Sequence, residues 1–144
     1  MSSSAQDDRK AIETWLLAFH NASKSLDADT WLDNFFTDDA ALQYGNNPVI
    51  SGPAVRLMFK NVFSKLDMMT HDVDYFDYVP PRVYQAATIR YLVKGDDPGK
   101  DVIQIPGFAT FFVKKEDNGK IRCYRAETFL DPSAVFKRIA EKGE

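Results

Sequence analysis

The sequence of 144 residues contains a single cysteine, Cys123, and only two histidines, His20 and His71. One thiol excludes a disulfide framework and every CxxC metal pattern. With imidazole this scarce, a zinc site is not expected either. No apolar run approaches the roughly 20 residues of a membrane-spanning helix. Residues 1–8 are polar and lack the apolar segment of a secretory leader. Lys and Arg number 18 against 21 Asp and Glu, and the net charge is −3. The basic residues are scattered, so the stripe that nucleic-acid binding requires is missing. Nucleotide-binding motifs, internal repeats, linkers and low-complexity tracts are also absent. Together these gaps predict one domain over residues 8–140, with flexible tails at 1–7 and 141–144. The protein is expected in the cytoplasm, without cofactor, metal, nucleic acid or membrane.

What the chain has in quantity is aromatic side chains, 13% of its residues, with eleven Phe and six Tyr. Such a density either fills a core or lines a pocket for an apolar ligand. Apolar residues at helical spacing, Ile12, Trp15, Leu16 and Phe19, predict a first helix from Asp8 to Ser23. Trp31, Leu32, Phe35 and Phe36 predict a second, capped by Asp27 or Asp29 and ended by Thr37-Asp38-Asp39. Ala40–Tyr44 reads as a short strand before the Gly45-Asn46-Asn47-Pro48 loop. A third helix starts at Ser51-Gly52-Pro53, with Val55, Met58, Phe59, Val62 and Phe63 as its apolar stripe.

Beyond Asp67 the period becomes two, and four strands follow. The first ends at Pro80-Pro81, the second covers Val83–Val93, the third Val102–Lys114 and the fourth Ile121–Leu130. In the first, Met69, His71, Val73, Tyr75, Asp77 and Val79 are expected on one face, and Asp72, Asp74, Phe76 and Tyr78 on the other. Pro106-Gly107 inside the third predicts a bulge or bend, and Asp117-Asn118-Gly119 a hairpin turn. Asp131-Pro132-Ser133 opens a short last helix carrying Val135, Phe136 and Ile139. Helices followed by long antiparallel strands make an α+β protein. The expected form is a cone-shaped α+β barrel, its strongly bent antiparallel sheet wrapped around three N-terminal helices and enclosing a pocket.

The candidate site residues are those whose chemistry is out of place in such a pattern. His71 starts a strand, where its near-neutral titration suits a general acid or base; the plainer reading is a strand-end histidine satisfied by backbone. Arg125 and Glu127 share parity with Ile121, Cys123 and Phe129, so two charges fall on a face expected to be buried. Asp131 ends the same strand and either serves the site or caps the last helix. Tyr44 ends the short strand and is a candidate hydrogen-bond donor to a carbonyl oxygen. Phe59, Phe63, Met58, Phe108 and Phe112 are candidate pocket walls. His20, one residue past the apolar stripe of the first helix, either reaches the pocket or lies at its edge. Asp72, Asp74 and Asp77 read as solvated charges, and Cys123 as core.

Phe36-Thr37-Asp38-Asp39-Ala40, Gly52 opening a helix, His71 opening a strand, Asn118-Gly119-Lys120-Ile121 and Phe129-Leu130-Asp131-Pro132-Ser133 follow in an order that resembles the nuclear-transport-factor-2-like superfold. Within it the chain resembles the SnoaL-like polyketide cyclases and, more loosely, fungal natural-product isomerases and cyclases. The resemblance covers Asp8 to Phe136 and implies a homodimer. Steroid isomerases of this superfold place a catalytic carboxylate six residues after the first Asp of Asp-Asp-Ala; Tyr44 stands there. Scytalone-type dehydratases match at Tyr44, a water-binding position, and at His71. Their second His follows a Gly matching Gly107, and Phe108–Thr110 offer none. SnoaL-like cyclases carry an acid near the end of the last strand, which implies Glu127 or Asp131.

The resulting expectation is a cyclase or isomerase working by acid–base catalysis on an apolar secondary-metabolite intermediate of polyketide, terpenoid or alkaloid type. A dehydratase or hydrolase using an activated water is one alternative. A non-enzymatic ligand-binding or dimerisation module is the other.

Overall fold

The computed structural model describes residues 3–143; Met1, Ser2 and Glu144, which belong to the expected tails, lie outside the described residues. Helix α1 covers Ser3–Ser23 and begins before the expected Asp8 start. Its predicted stripe of Ile12, Trp15, Leu16 and Phe19 is buried, and His20 and Ser23 extend it. Helix α2, Ala28–Phe35, is capped by Asp27, whose carboxylate accepts from the Thr30 backbone N–H at 3.2 Å. Strand β1, Phe36–Tyr44, follows at once. Thr37-Asp38-Asp39 is therefore strand and not a helix-ending turn. A two-residue strand β2, Ile50–Ser51, precedes helix α3, Pro53–Phe63. Gly52 caps α3 at φ +62, a left-handed conformation that suits glycine, and Pro53 supplies the preset first turn.

Strands β3 (Leu66–Val79), β4 (Arg82–Val93), β5 (Ile103–Lys115) and β6 (Ile121–Phe129) form one sheet with β1 and β2, ordered β2-β1-β6-β5-β4-β3. The sheet is mixed where the sequence predicts antiparallel pairing throughout, because β1 lies parallel to β6. Helix α4, Ser133–Glu141, closes the chain with Val135 and Ile139 buried, while Phe136, expected beside them, is 51% exposed. None of the described helices is long and apolar enough to cross a membrane.

The bulge expected at Pro106-Gly107 is absent: pairing of β4 with β5 runs unbroken through Thr88↔Pro106 and Ala87↔Gly107. Pro106 lies in the part of β5 that pairs with β4 alone, since β6 pairing begins at Phe108. Gly107 serves close packing, since a Cβ there would lie 2.9 Å from Cδ1 of Ile89. Register shifts lie in β3, where Asp67 is extra between Leu66 and Met68 and Asp74 between Val73 and Tyr75, in β1 between Phe36 and Ala41, and in β6, where Tyr124 is extra between Cys123 and Arg125; the Asp74 and Tyr124 bulges bear on the site.

Each bulge reverses the faces beyond it. In β3, Tyr75 and Val79 turn outward while Phe76 and Tyr78 pack against the core. In β6, Cys123 and Ala126 are the buried pair, and the odd-numbered positions after Tyr124 point away from the helices.

Candidate active site

One cavity of about 90 Å³ lies between α1, α3 and the concave face of the sheet. Its walls are apolar, among them Phe19, Trp31, Phe36, Phe59, Met69 and Phe111. Among the described residues no Asp, Glu, Lys or Arg lines it, and the titratable side chains that do are His20, His71, Tyr44 and Tyr91. Gln85 and Thr128 complete the polar lining.

His20 reaches this cavity because α1 packs across β3 and turns the residue after Phe19 inward. It is 4% exposed, and its Nε2 lies 2.7 Å from Oε1 of Gln85. His71, ahead of the β3 bulge, keeps the inward direction expected of it. The two imidazoles stack with centroids 4.5 Å apart and planes 21° apart. The Nδ1 atoms of both are buried without a hydrogen-bond partner. Burial lowers the His20 pKa to about 4 against the opposing pull of the Gln85 hydrogen bond. Burial, followed by the nearby His20, lowers that of His71 to about 3. Both rings are thus neutral at pH 7.

Tyr44, at the end of β1, and Tyr91, on β4, enter the same cavity. Burial raises the pKa of Tyr91 to about 12, and burial and then Tyr91 itself raise that of Tyr44 further. Both remain neutral donors. The chemical content of the cavity is therefore two uncharged imidazoles and two phenols in an otherwise apolar enclosure.

The structure relocates several expected site residues. Arg125 and Glu127 lie on the outer face because of the Tyr124 bulge, and there Nε of Arg125 donates to Oε2 of Glu127 at 3.0 Å with both side chains about one-third exposed. Asp131 is exposed and is not the cap of the last helix, whose N-cap is Pro132; its carboxylate accepts from the Ser133 backbone N–H at 3.0 Å, and Ser133 holds its pKa below the usual carboxylate value. Phe112 is on the outer face with Tyr124, ring centroids 6.0 Å apart. Phe63 is core packed on Trp31 and Phe59, and Met58 is partly buried; neither lines the cavity. Phe59 and Phe108 do, the latter 40% exposed at the rim. Cys123 is core, its thiol pushed up to about 12 by burial.

Sequence reading misses Gln85, Tyr91 and Thr128. For the first two a signal exists: Val83, Gln85, Ala87, Ile89 and Tyr91 share one face of β4, and an amide and a phenol stand out in that row. A larger open cleft of about 350 Å³ lies between β1 and α3. Its cations are already engaged, Arg56 with Asp29 and Asp33, and Lys60 with Asp29.

No protein-family model matches the sequence, and no curated protein matches it. Solved structures do. A provisionally assigned scytalone dehydratase from Novosphingobium aromaticivorans gives a TM-score of 0.72 at 15% identity, over 91% of this chain and 89% of that one. An LEH-like epoxide hydrolase from M. tuberculosis gives 0.63 at 16% identity, over 89% and 88%. A ketosteroid isomerase-like protein from Erwinia carotovora atroseptica gives 0.60 at 17% identity, over 83% and 92%. At such identities the likeness is one of fold, and the fold of this chain is the nuclear-transport-factor-2-like one.

Proposed function

We propose that the protein is a cofactor-independent acid–base enzyme that isomerises or cyclises a small, uncharged, apolar molecule. The observation that carries this reading is the neutral His20–His71 stack sharing one cavity with Tyr44 and Tyr91, with no charged side chain in the cavity lining. A neutral imidazole has a free lone pair at pH 7; the burial that keeps it neutral also makes it a weak base, so the proton transfer depends on stabilising the enolate. Phenols that stay protonated are suited to stabilise an oxyanion as it develops. With Arg125, Glu127 and Asp131 outside the cavity, the base is His71 and the oxyanion donors are Tyr44 and Tyr91. His71 takes a proton from the carbon next to a carbonyl, the enolate oxygen rests on the phenols, and the same proton returns to another carbon. The cavity of about 90 Å³ is below the roughly 300–1,000 Å³ of drug-sized sites. This favours a single-ring substrate over a polycyclic one.

Dehydration is the second reading. Its weakness in the sequence is the lack of a histidine after Gly107, and His20 supplies a second imidazole from a different element. The same base and donors then expel a β-hydroxyl from the enolate as water.

Exchange of the α-protons of cyclohexanone in deuterium oxide, followed by NMR, tests both. The expected result is exchange above the buffer rate that falls about 10²-fold or more in His71→Gln, the lower range of general-base effects. Exchange equal to buffer for cyclohexanone and for cyclohexenone, with no shift of cavity resonances, would sink the enzyme reading in favour of a binding module.

A further inference from the structure

The cavity persists in a core crowded with aromatic rings because the sheet beneath it carries small side chains or none. Ala87 and Gly107 pair across β4 and β5, Ala109 is the next inward residue of β5, and all three line the cavity. Gly107 sits in regular strand pairing with its φ outside the left-handed region, so its backbone does not demand glycine. What excludes a side chain there is Ile89. A Cβ at position 107 would lie 2.9 Å from Cδ1 of Ile89, but 3.8 Å from its Cγ1 and 3.7 Å from Cδ2 of Leu130. The two longer distances are ordinary contacts, so the conflict rests on a single methyl group. That methyl is seated on the bare backbone of Gly107. Ile89 is also the cross-strand partner of His71, and both line the cavity. Residues so paired have Cβ atoms about 4.5–5.5 Å apart. The wall made by this methyl therefore stands beside the proposed base.

We infer that Ile89 and Gly107 together determine substrate specificity: Cδ1 of Ile89, seated on Gly107, walls the cavity next to His71 and admits a ring whose reacting carbon and that carbon's ring neighbour carry no alkyl branch. The inference rests on the proposed acid–base reading and narrows its substrate class. One volume is shared between the two positions. Removing Cδ1 in Ile89→Val leaves room for one methyl group of a ligand. Adding a Cβ in Gly107→Ala drives Cδ1 off the glycine, and in a close-packed core the space open to it is the cavity. When Gly107→Ala is combined with Ile89→Val, the new methyl takes the place of the lost one and the wall is restored.

Chemical-shift titrations with cyclohexanone, 2-methylcyclohexanone and 3-methylcyclohexanone test the wall, with circular dichroism to check the fold of each variant. The wild type is expected to bind cyclohexanone about tenfold or more tightly than either methylated ketone, the lower end of what one methyl group decides in an apolar pocket. Ile89→Val should bind at least one methylated ketone about tenfold more tightly than the wild type does. Gly107→Ala should lose about tenfold in affinity for cyclohexanone, and the double variant should recover it. Equal affinity of the wild type for all three ketones overturns the inference. So does a folded double variant that binds no better than Gly107→Ala, or the absence of binding by both the wild type and Ile89→Val. If Gly107→Ala does not fold, the comparison of Ile89→Val with the wild type decides alone. The α-proton exchange separates the two claims. The expected binding pattern without exchange leaves the wall as a ligand filter and removes the enzyme reading; His71-dependent exchange with equal affinities removes the wall alone.

Discussion

Tyr44 is where the proposed chemistry can be weakened with least damage to the fold. Its side chain lines the cavity, and Phe keeps the ring that packs against the core. Tyr44→Phe is expected to slow α-proton exchange by about 10²-fold, the lower range for losing one oxyanion donor. Binding of cyclohexanone, measured by chemical-shift titration, should change far less, because the donor matters most when charge develops. Glu127→Gln supplies the contrast. That side chain pairs with Arg125 on the outer face, and exposed pairs contribute little. Exchange should be unaltered and stability should move by less than about 0.5 kcal/mol in urea denaturation. At this scale the sequence is legible in part: of the side chains whose chemistry is unusual for their place, His71, Tyr44 and His20 reach the cavity, while Arg125, Glu127 and Asp131 do not. Gln85 is harder to see because its role depends on His20, a residue 65 positions away. Only the tertiary packing of α1 on the sheet joins them.

At the level of elements, the helices are readable from periodicity because a helix tolerates no hidden insertion in its stripe. Strand faces are not, since a single extra residue reverses them. Tyr124 carries no glycine, proline or other mark of a bulge, yet it decides that Glu127 lies outside and Thr128 inside. The Pro106-Gly107 pair, which does carry that mark, sits in regular pairing. The last helix shows another long-range fastening. Asp96, in the loop after β4 with its side chain 2% exposed, accepts from Nε and Nη2 of Arg138 at 2.8 and 2.7 Å and from Nζ of Lys142 at 2.7 Å. Arg138 and then Lys142 hold the Asp96 carboxyl far below the usual range. This pairing fixes α4, which directly follows Leu130 of the cavity wall. Replacing Asp96 by Ala leaves two cations without their partner. Amides of α4 are expected to exchange with solvent at least tenfold faster, while those of α1 keep their protection. Equal acceleration in both helices would mean that the fastening serves global stability rather than α4.

For the whole molecule, the histidine stack links folding to pH. In the unfolded chain each imidazole takes a proton below about pH 6.5. In the folded protein His20 does so only near pH 4 and His71 only near pH 3. Both folded pKa values are depressed, so the unfolded state binds more protons between these limits. The stabilisation is complete above about pH 6.5 and is lost as pH falls toward 4 and then 3. At pH 5 the loss is about 2 kcal/mol for each histidine, a large share of the roughly 5–15 kcal/mol that holds a domain of this size. Urea denaturation at pH 7 and pH 5 should therefore show a marked drop in midpoint for the wild type. His71→Phe, which removes one titrating ring and keeps an aromatic one, should show about half that drop. An unchanged drop between pH 7 and pH 5 in His71→Phe would mean that His71 does not carry the acid sensitivity in this window; carboxylates such as Asp96 do not carry it either, because their contribution is lost only as pH falls below about 4.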